Sequence, residues 1–528
     1  MLWVHRSNRL EELVEVLLEY LSVDRPHPLQ KQPIVVQGAG MDRYLLQRLA
    51  LHFGIWANAS FPFPRRFFED QFARAGIPPP DPFDPYQVES LTWSIAQLLP
   101  DLLLRPEFAP LATYATSLAQ ARGHDPHHGL TRDDVALAYH LAQLFDRYVV
   151  YRPDELHAWD RTASPAEWQA QLWRELVRHV GAPPFAARAK RWVEALEQTP
   201  LPVPPRVYFF GLFHLPPLYL ELLGRLAQRS EVHLFLLNPS PEYWAWIRTR
   251  RTVLRQERER FGSVQQLEQA WQEALGNPLL ASLGRVGGEL QAVLEGTVDY
   301  AESDHYQPPE EDSLLHVLQA DIFALRRRAP GQPEAPPLLL REDDDSVRIH
   351  DCHSPMREVE VLHDALRDAL ERDPTLEPED CLVLCTDLAT YAPLVHAVFG
   401  NPALGERGIP YQIADLPVRD TEELVDAFFA ALDLLRSRAQ SSELLAFLAR
   451  PPVRKQFDIS LDQLDRLRHW IEETHVHWGF DADHRAREGL PALAEHTWQF
   501  GLDRLLLGAA MPADEDGMLY GVRPYGDV

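Results

Sequence analysis

Two apolar runs separated by one helical span constrain this chain most. They are Arg206-Val207-Tyr208-Phe209-Phe210-Gly211 and Glu231-Val232-His233-Leu234-Phe235-Leu236-Leu237, with a helical stretch from Pro216 to about Gln228 between them. Runs of this length, rich in β-branched and aromatic side chains, read as strands buried on both faces. Two such strands joined through a helix lie parallel, because a tight turn can only reverse the chain. An earlier segment fits the same sheet. Ser7-Asn8 can cap a helix carrying Leu10, Leu13, Leu17 and Leu21, and Pro33-Ile34-Val35-Val36-Gln37 then reads as a short buried strand. Gly38-Ala39-Gly40 turns into a second helix through Leu45, Leu49 and Phe53. Helical tracts follow around 87–100, 132–148 and 166–198, so the sheet carries a large helical insertion. Residues 329–345, proline-rich and ending in Glu342-Asp343-Asp344-Asp345, read as a linker between 1–328 and 346–528. In the first part the sheet occupies about 1–60 and 200–328, and the insertion about 65–200. The second part begins another α/β unit: a strand Ser346–His350, a helix capped by Ser354 with Pro355 in its first turn, a strand Cys381–Cys385 and a strand Pro410–Ile413.

The chain has only three lysines, Lys31, Lys190 and Lys455. A phosphate-cradling P-loop needs Gly-Lys-Ser/Thr, because the ammonium must reach phosphates that the loop amides surround. None of the three stands in that context, nor in the Glu-x-Lys pattern of carboxylate-based nucleases. The turn after Gln37 is where an active nucleotide-binding domain would hold phosphate, and without Lys or Thr it reads first as an ordinary strand-to-helix turn. The expectation is a protein that binds rather than hydrolyses nucleotides or nucleic acid, with no catalytic residues and no useful ATP affinity. At 528 residues and 45% apolar content, two to four domains are expected. Three cysteines, Cys352, Cys381 and Cys385, are too few for a disulfide framework, and neither a basic start followed by an apolar core nor an eighteen-residue apolar run occurs, which together predict a cytoplasmic protein without membrane segments. A net charge of -27 argues against nucleic-acid binding by overall charge. Arginines would have to line a local path, and candidates are Arg65-Arg66, Arg248 to Arg251 with Arg255, Arg258 and Arg260, and Arg326 to Arg328. Taken singly, each reads first as a solvated helix face bearing mixed charge.

Three constellations carry possible chemistry. His350-Asp351-Cys352-His353 with Cys381 and Cys385 has zinc-type ligands, but side chains alternate along a strand and these cannot all converge, so no metal is expected and the cysteines are expected in the core. Arg122-Gly123-His124-Asp125-Pro126-His127-His128 reads as a solvated polar loop. No Gly-x-Ser-x-Gly elbow anchors a hydrolase triad. Phe61-Pro62-Phe63-Pro64-Arg65-Arg66-Phe67-Phe68 interleaves aromatics with arginines, which suits base stacking and phosphate contact along a single strand, or equally a proline-stiffened loop over buried phenylalanines.

A set of motifs in order along the chain carries a family resemblance. They are Ser7-Asn8-Arg9-Leu10, Val36-Gln37 with Gly40-Met41, Phe53-Gly54-Ile55, Phe61-Pro62, Leu144-Phe145-Asp146 with Tyr148, and Val150-Tyr151-Arg152-Pro153-Asp154. Leu215-Pro216-Pro217, Asn238-Pro239, Gly276-Asn277-Pro278-Leu279-Leu280-Ala281-Ser282, and Cys352-His353-Ser354-Pro355 with the run from Arg357 to Asp364 continue it, as do Asp373-Pro374-Thr375-Leu376, Ala397-Val398-Phe399-Gly400, Phe457-Asp458-Ile459 and His496-Thr497-Trp498 with Phe500-Gly501-Leu502. The sequence resembles the amino-terminal half of the RecC-type gamma subunit of exodeoxyribonuclease V.

The resemblance implies an α/β fold: a degenerate superfamily 1 helicase-like domain with a RecA-like parallel sheet and a helical insertion, then part of a second such domain. It implies a non-catalytic scaffold that splits double-stranded DNA ends, channels single-stranded DNA and scans for the hotspot sequence Chi, in double-strand-break repair by recombination. Partners would be a beta (RecB-type) subunit, which also carries the nuclease, and an alpha (RecD-type) subunit in a heterotrimer, with ATP and Mg used by those partners and no cofactor in this chain. Of the family's Chi-reading positions, Gln37, Leu144, Asp146 and Arg152 match in type. Ala39, Arg43, Phe63, Glu69 and Gln143 depart from the family pattern, and Arg188 corresponds loosely. The departures leave Chi and a different sequence both open, and Asp146 and Arg152 could equally form a salt bridge that rigidifies the wall. The expected DNA-contacting set is Gln37, Arg43, Phe63, Arg65, Leu144, Asp146 and Arg152. A stand-alone α/β enzyme with an unrecognised site and a subunit of the related two-subunit helicase-nuclease type are the alternatives.

Overall fold

The computed structural model describes the chain apart from residues 24–30, 58, 78–83, 122–131, 162–166, 248–275, 298, 329–340, 402–407, 512–516 and 527–528. The polar loop at 122–128, the arginine cluster at 248–260 and most of the proline-rich stretch after 328 therefore lie outside the described residues. The chain divides into two compact units, Met1–Arg348 and Ile349–Val528.

The first unit is built on a six-stranded sheet in the order β3-β2-β4-β5-β1-β6, with every pairing parallel. The strands are β1 (Leu2–Ser7), β2 (Gln32–Val35), β3 (Ala59–Ser60), β4 (Arg206–Phe210), β5 (Glu231–Leu237) and β6 (Ala301–Asp304). Helices α1 (Leu10–Val23) and α2 (Ala39–Phe53) connect the first strands, and α10 (Pro217–Ala227) joins β4 to β5. The insertion between β3 and β4 is all-helical: α3 (Pro64–Arg74), α4 (Val88–Leu102), α5 (Ala109–Ala121), α6 (Arg132–Tyr151), α7 (Pro153–Arg161), α8 (Trp168–Val180) and α9 (Phe185–Gln198). Short helices α11 (Pro278–Leu283) and α12 (Arg285–Thr297) precede β6, and α13 (Leu314–Phe323) follows it.

Strand alternation decides what each face meets. Val207 and Phe209 join Val232, Leu234 and Leu236 in a core shared with the insertion and α10, including Phe68, Phe72, Phe145, Trp173, Phe185 and Trp192. Tyr208, Phe210 and Phe235 point the other way and pack with Ile34, Val36 and the apolar faces of α1 and α2. Both faces are covered, which is why these strands are near-continuously apolar. The chain is thus a mixed α/β fold with a parallel sheet and a helical insertion, as expected.

Two strands carry polar residues instead. In β1, His5, Arg6 and Ser7 are buried. Arg6 pairs with Glu302 at 2.8 Å and Asp304 at 3.0 Å of neighbouring β6, and Ser7 Oγ donates to the His305 carbonyl at 2.8 Å. His5 Nε2 lies 3.0 Å from His233 Nδ1, and both imidazoles are fully buried among Tyr20, Tyr208 and Phe235. Burial lowers the pKa of His5 to about 3, helped by its positively charging neighbours His233 and His305, and burial likewise lowers that of His233 to about 4.

The second unit is helical among its described residues, starting with α14 (Pro355–Arg372), which Ser354 caps through its side chain. The three strands expected at Ser346–His350, Cys381–Cys385 and Pro410–Ile413 do not form: these segments carry no ladder. Their apolar residues are exposed instead, Ile349 at 93%, Leu382 at 82% and Leu384 at 87%. Apolar β-prone sequence supplies the propensity for a strand, but the strand exists only where a neighbour completes its N–H and C=O pairs. The expectation of core cysteines fails for the same reason, since Cys352 and Cys381 are half-buried and Cys385 is exposed. Among the described residues no helix is long and apolar enough to cross a membrane.

Candidate nucleic-acid interface

In a parallel sheet all carboxyl ends emerge along one edge, and loops there collect functional groups. Three adjacent strands, β3, β2 and β4, deliver Phe61 to Phe63, Gln37 and Gly211 to His214 to that edge. The Val36 amide donates to the Pro62 carbonyl at 3.1 Å, fixing the first two loops side by side. β2 ends at Val35, so Gln37 falls past the ladder rather than inside the strand. Its Oε1 is buried without a hydrogen-bond partner, an acceptor left open. Gly211 has φ +66°, and a Cβ built there would lie 2.9 Å from Met41 Cε on α2. Gly211→Ala is therefore expected to cost about 1–2 kcal/mol from the left-handed backbone, before Met41 moves. A urea titration checks this, and an unchanged midpoint would mean that the backbone does not need the glycine.

The insertion closes the other side. Pro64 starts α3 directly after Phe63, whose ring is 50% exposed. Phe67 and Phe68 are buried, as the alternative reading of the aromatic-arginine segment has it, while Phe63 and Arg66 are exposed. Helix α6 brings Leu144, half-buried, and Asp146, and its end meets the β4–α10 loop where the Tyr151 hydroxyl bonds His214 Nε2 and the rings stack at 5.7 Å. Arg152 extends from the α6 end, exposed, over the Tyr148 ring at 5.3 Å, and pairs with Glu155 at 3.3 Å. Arg43 is exposed on α2. An Asp146–Arg152 salt bridge, the alternative to base contact, is not what the structure contains, because Asp146 pairs with Arg65 at 3.2 Å.

Arg65 is the hub of this wall. Besides Asp146 it reaches Asp84 at 2.7 Å and Glu69 at 3.5 Å, and its guanidinium lies over Phe185 at 5.3 Å. Burial opposes its charge, yet Asp84, Asp146 and Glu69 with neighbouring Tyr219 hold its pKa above the usual arginine value. Arg188, fully buried, meets Glu69 at 3.4 Å and Asp84 at 3.8 Å. The reading of Arg65 as a free cation for phosphate is thereby changed: two arginines here face three carboxylates. The Arg326 to Arg328 cluster is likewise occupied, since Arg326 and Arg328 both pair with Asp321 and Glu311.

A second feature of the same edge escaped the sequence. The chain leaves β1 toward β2 on one side and β5 toward β6 on the other, so the sheet has a topological switch point between β1 and β5 besides the one between β2 and β4, where the chain leaves toward β3 and β5. A cavity of about 580 Å³ opens there, lined by Asn8, Arg9, Glu11, Pro239, Glu310 and His316. Asn8 is stapled to the Gln307 backbone through both side-chain atoms, and no lysine is present. Glu310, Asp312 and His316 bring three potential ligand atoms together at its rim, whereas His350 to His353 form no such group among the described residues. An Asp-to-His spacing of four across the start of α13 was the only sequence signal for it.

Comparison with known proteins places this geometry. The family model described as "RecC, N-terminal domain" matches residues 2–325, and "RecBCD enzyme subunit RecC fourth domain" matches 421–528. The chain belongs to the RecC family. Among RecC family members, the RecBCD enzyme subunit RecC of Escherichia coli (strain K12) is 36% identical, over 100% of this chain and 49% of the relative. The subunits of the same name from Mycolicibacterium smegmatis and Haemophilus influenzae are 33% and 30% identical, over 100% and 97% of this chain and 47% and 49% of theirs. The chain thus spans about half the length of the RecC relatives that it matches.

Proposed function

We propose that this chain acts as the RecC-type part of a RecBCD helicase-nuclease, a non-catalytic scaffold that holds single-stranded DNA along the carboxyl edge of its first sheet. Its partners are a RecB-type and a RecD-type subunit, its DNA substrates are duplex ends and the strands split from them, and its setting is recombinational repair in the cytoplasm. ATP and Mg²⁺ serve the partner subunits. The first unit is read as an inactive helicase-like domain and the second as the start of another. The observation that carries this is the contrast along one edge. The switch-point cavity after β1 and β5, where a nucleotide would be bound in folds of this type, has no lysine and is lined by Glu11 and Glu310 beside Arg9, while the β3–β2–β4 end presents an exposed Phe63 and holds a Gln37 amide whose buried Oε1 has no partner.

Binding of an oligothymidylate to the chain tests the wall. Phe63→Ala is expected to weaken it by roughly 1–3 kcal/mol, the loss typical of one stacked base. Gln37→Ala should leave the salt dependence alone and alter sequence preference in the complex assembled with both partner subunits. If Phe63→Ala binds and unwinds as the parent does in that complex, the wall is only structural. ATP hydrolysis or DNA cleavage by the isolated chain would instead favour a stand-alone enzyme.

A further inference from the structure

Asp84 belongs to none of the positions that the sequence singled out, yet it touches both arginines of the wall. Its Oδ2 receives Arg65 Nη2 at 2.7 Å and lies 3.8 Å from Arg188 Nη2, while its Oδ1 accepts the Tyr86 amide at 3.0 Å, which fixes the carboxylate in place. The side chain is 7% exposed, so its charge acts at short range with little screening. Glu69 bridges the same two arginines from α3, and Asp146 completes the ring from α6 at the more exposed rim. Every carboxylate of the ring is within 4 Å of an arginine, and both arginines lie over or beside the buried Phe185 ring.

Resting on the reading of this edge as a DNA channel, we infer that Asp84 is the positioning residue of the wall. It holds Arg65 and Arg188 and, with Glu69 and Asp146, offsets their charge within the protein, so this part of the wall contacts bases and aromatic faces without gripping phosphate, which is left to exposed arginines such as Arg66 and Arg152. A strand that must slide through a channel is served by such a surface, because phosphate contacts make binding tight and strongly salt-dependent. The residue class recognised is then the unstacked base, and the backbone is left to cations elsewhere.

The test is the slope of log affinity against log salt for a fluorescent oligothymidylate, measured on the full 528-residue chain. Arg65→Gln is expected to leave the slope as in the parent. Because two arginines face three carboxylates, one carboxylate can be lost before a cation is freed. Asp84→Asn with Asp146→Asn, which leaves Glu69 alone against both arginines, is expected to steepen the slope by roughly 0.7, the value for one newly neutralised phosphate on a single strand. Adding Arg65→Gln to that pair should return it to the parent value. Glu69→Gln with Asp146→Asn has the same charge and serves if the Asp84 variant does not fold. A flatter slope in Arg65→Gln overturns the inference, since Arg65 would then already hold a phosphate, and so does an unchanged slope in both folded double variants. Absence of any binding by the parent at low salt overturns the channel reading itself, and the inference with it, which separates the two failures.

Discussion

Acidification from pH 6.5 to about 4 is expected to remove roughly 5–6 kcal/mol of stability from the first unit, the sum over two groups at about 1.4 kcal/mol for each pH unit below their unfolded pKa. The source is the His5–His233 pair, packed in the middle of the sheet 3.0 Å apart with no room for two charges. Both folded-state pKa values are lowered, to about 3 and about 4, from an unfolded value of 6.5. Below pH 6.5 the unfolded chain therefore binds more protons than the folded one, stability falls as pH drops, and the loss levels off once the folded values are passed. Because domains of this kind have total stabilities of about 5–15 kcal/mol, this is enough to dominate acid unfolding. His5→Gln together with His233→Gln keeps the volume and an amide contact but cannot titrate. The double variant should shift the acid midpoint downward by about a pH unit. An acid transition monitored by circular dichroism that coincides with the parent's would show that carboxylates, and not this pair, set the limit.

The second large effect is expected at Arg188. Arg188→Ala removes a fully buried guanidinium, leaves Glu69 and Asp84 sharing Arg65 alone, and opens space beside Phe185, for a predicted loss of about 3–5 kcal/mol. Arg105→Ala, which breaks an exposed pair with Glu175 at 2.9 Å, should cost less than about 1 kcal/mol. Urea unfolding of both variants gives the comparison. Equal losses would mean that the interior network contributes no more than a surface pair.

Sequence and structure agree where the signal is local. The run Val207 to Phe210 and the run Val232 to Leu236 encode burial on two faces within themselves, and the helices of the insertion repeat apolar residues at helical spacing. β1 and β6 were illegible for the opposite reason. Arg6 is tolerated in a buried strand only because Glu302 and Asp304 arrive almost 300 positions later, and Ala301-Glu302-Ser303-Asp304 is too polar to read as a strand without knowing of Arg6. The second unit erred in the other direction: Leu382 to Leu384 has the composition of a strand and lacks a neighbour. At the candidate interface, residue types were readable and their partners were not. Gln37, Phe63 and Asp146 could be named from the sequence, whereas the commitment of Arg65 to Asp84 depends on how the insertion folds back.

The position of β1 has a consequence for how the protein is made. β1 pairs with β5 and β6, at Val232 to Leu237 and Ala301 to Asp304, both of which are translated long after it. At typical elongation rates of about 5–20 residues per second, roughly 15–60 seconds pass before its last neighbour is translated. Throughout that interval the nascent chain exposes Leu2 and Val4 on an unpaired edge, a hazard for aberrant association. The helical insertion, whose contacts are mostly between nearby segments, can assemble meanwhile, so this sheet forms from the middle outward and β1 is the last of its strands to be paired on both sides.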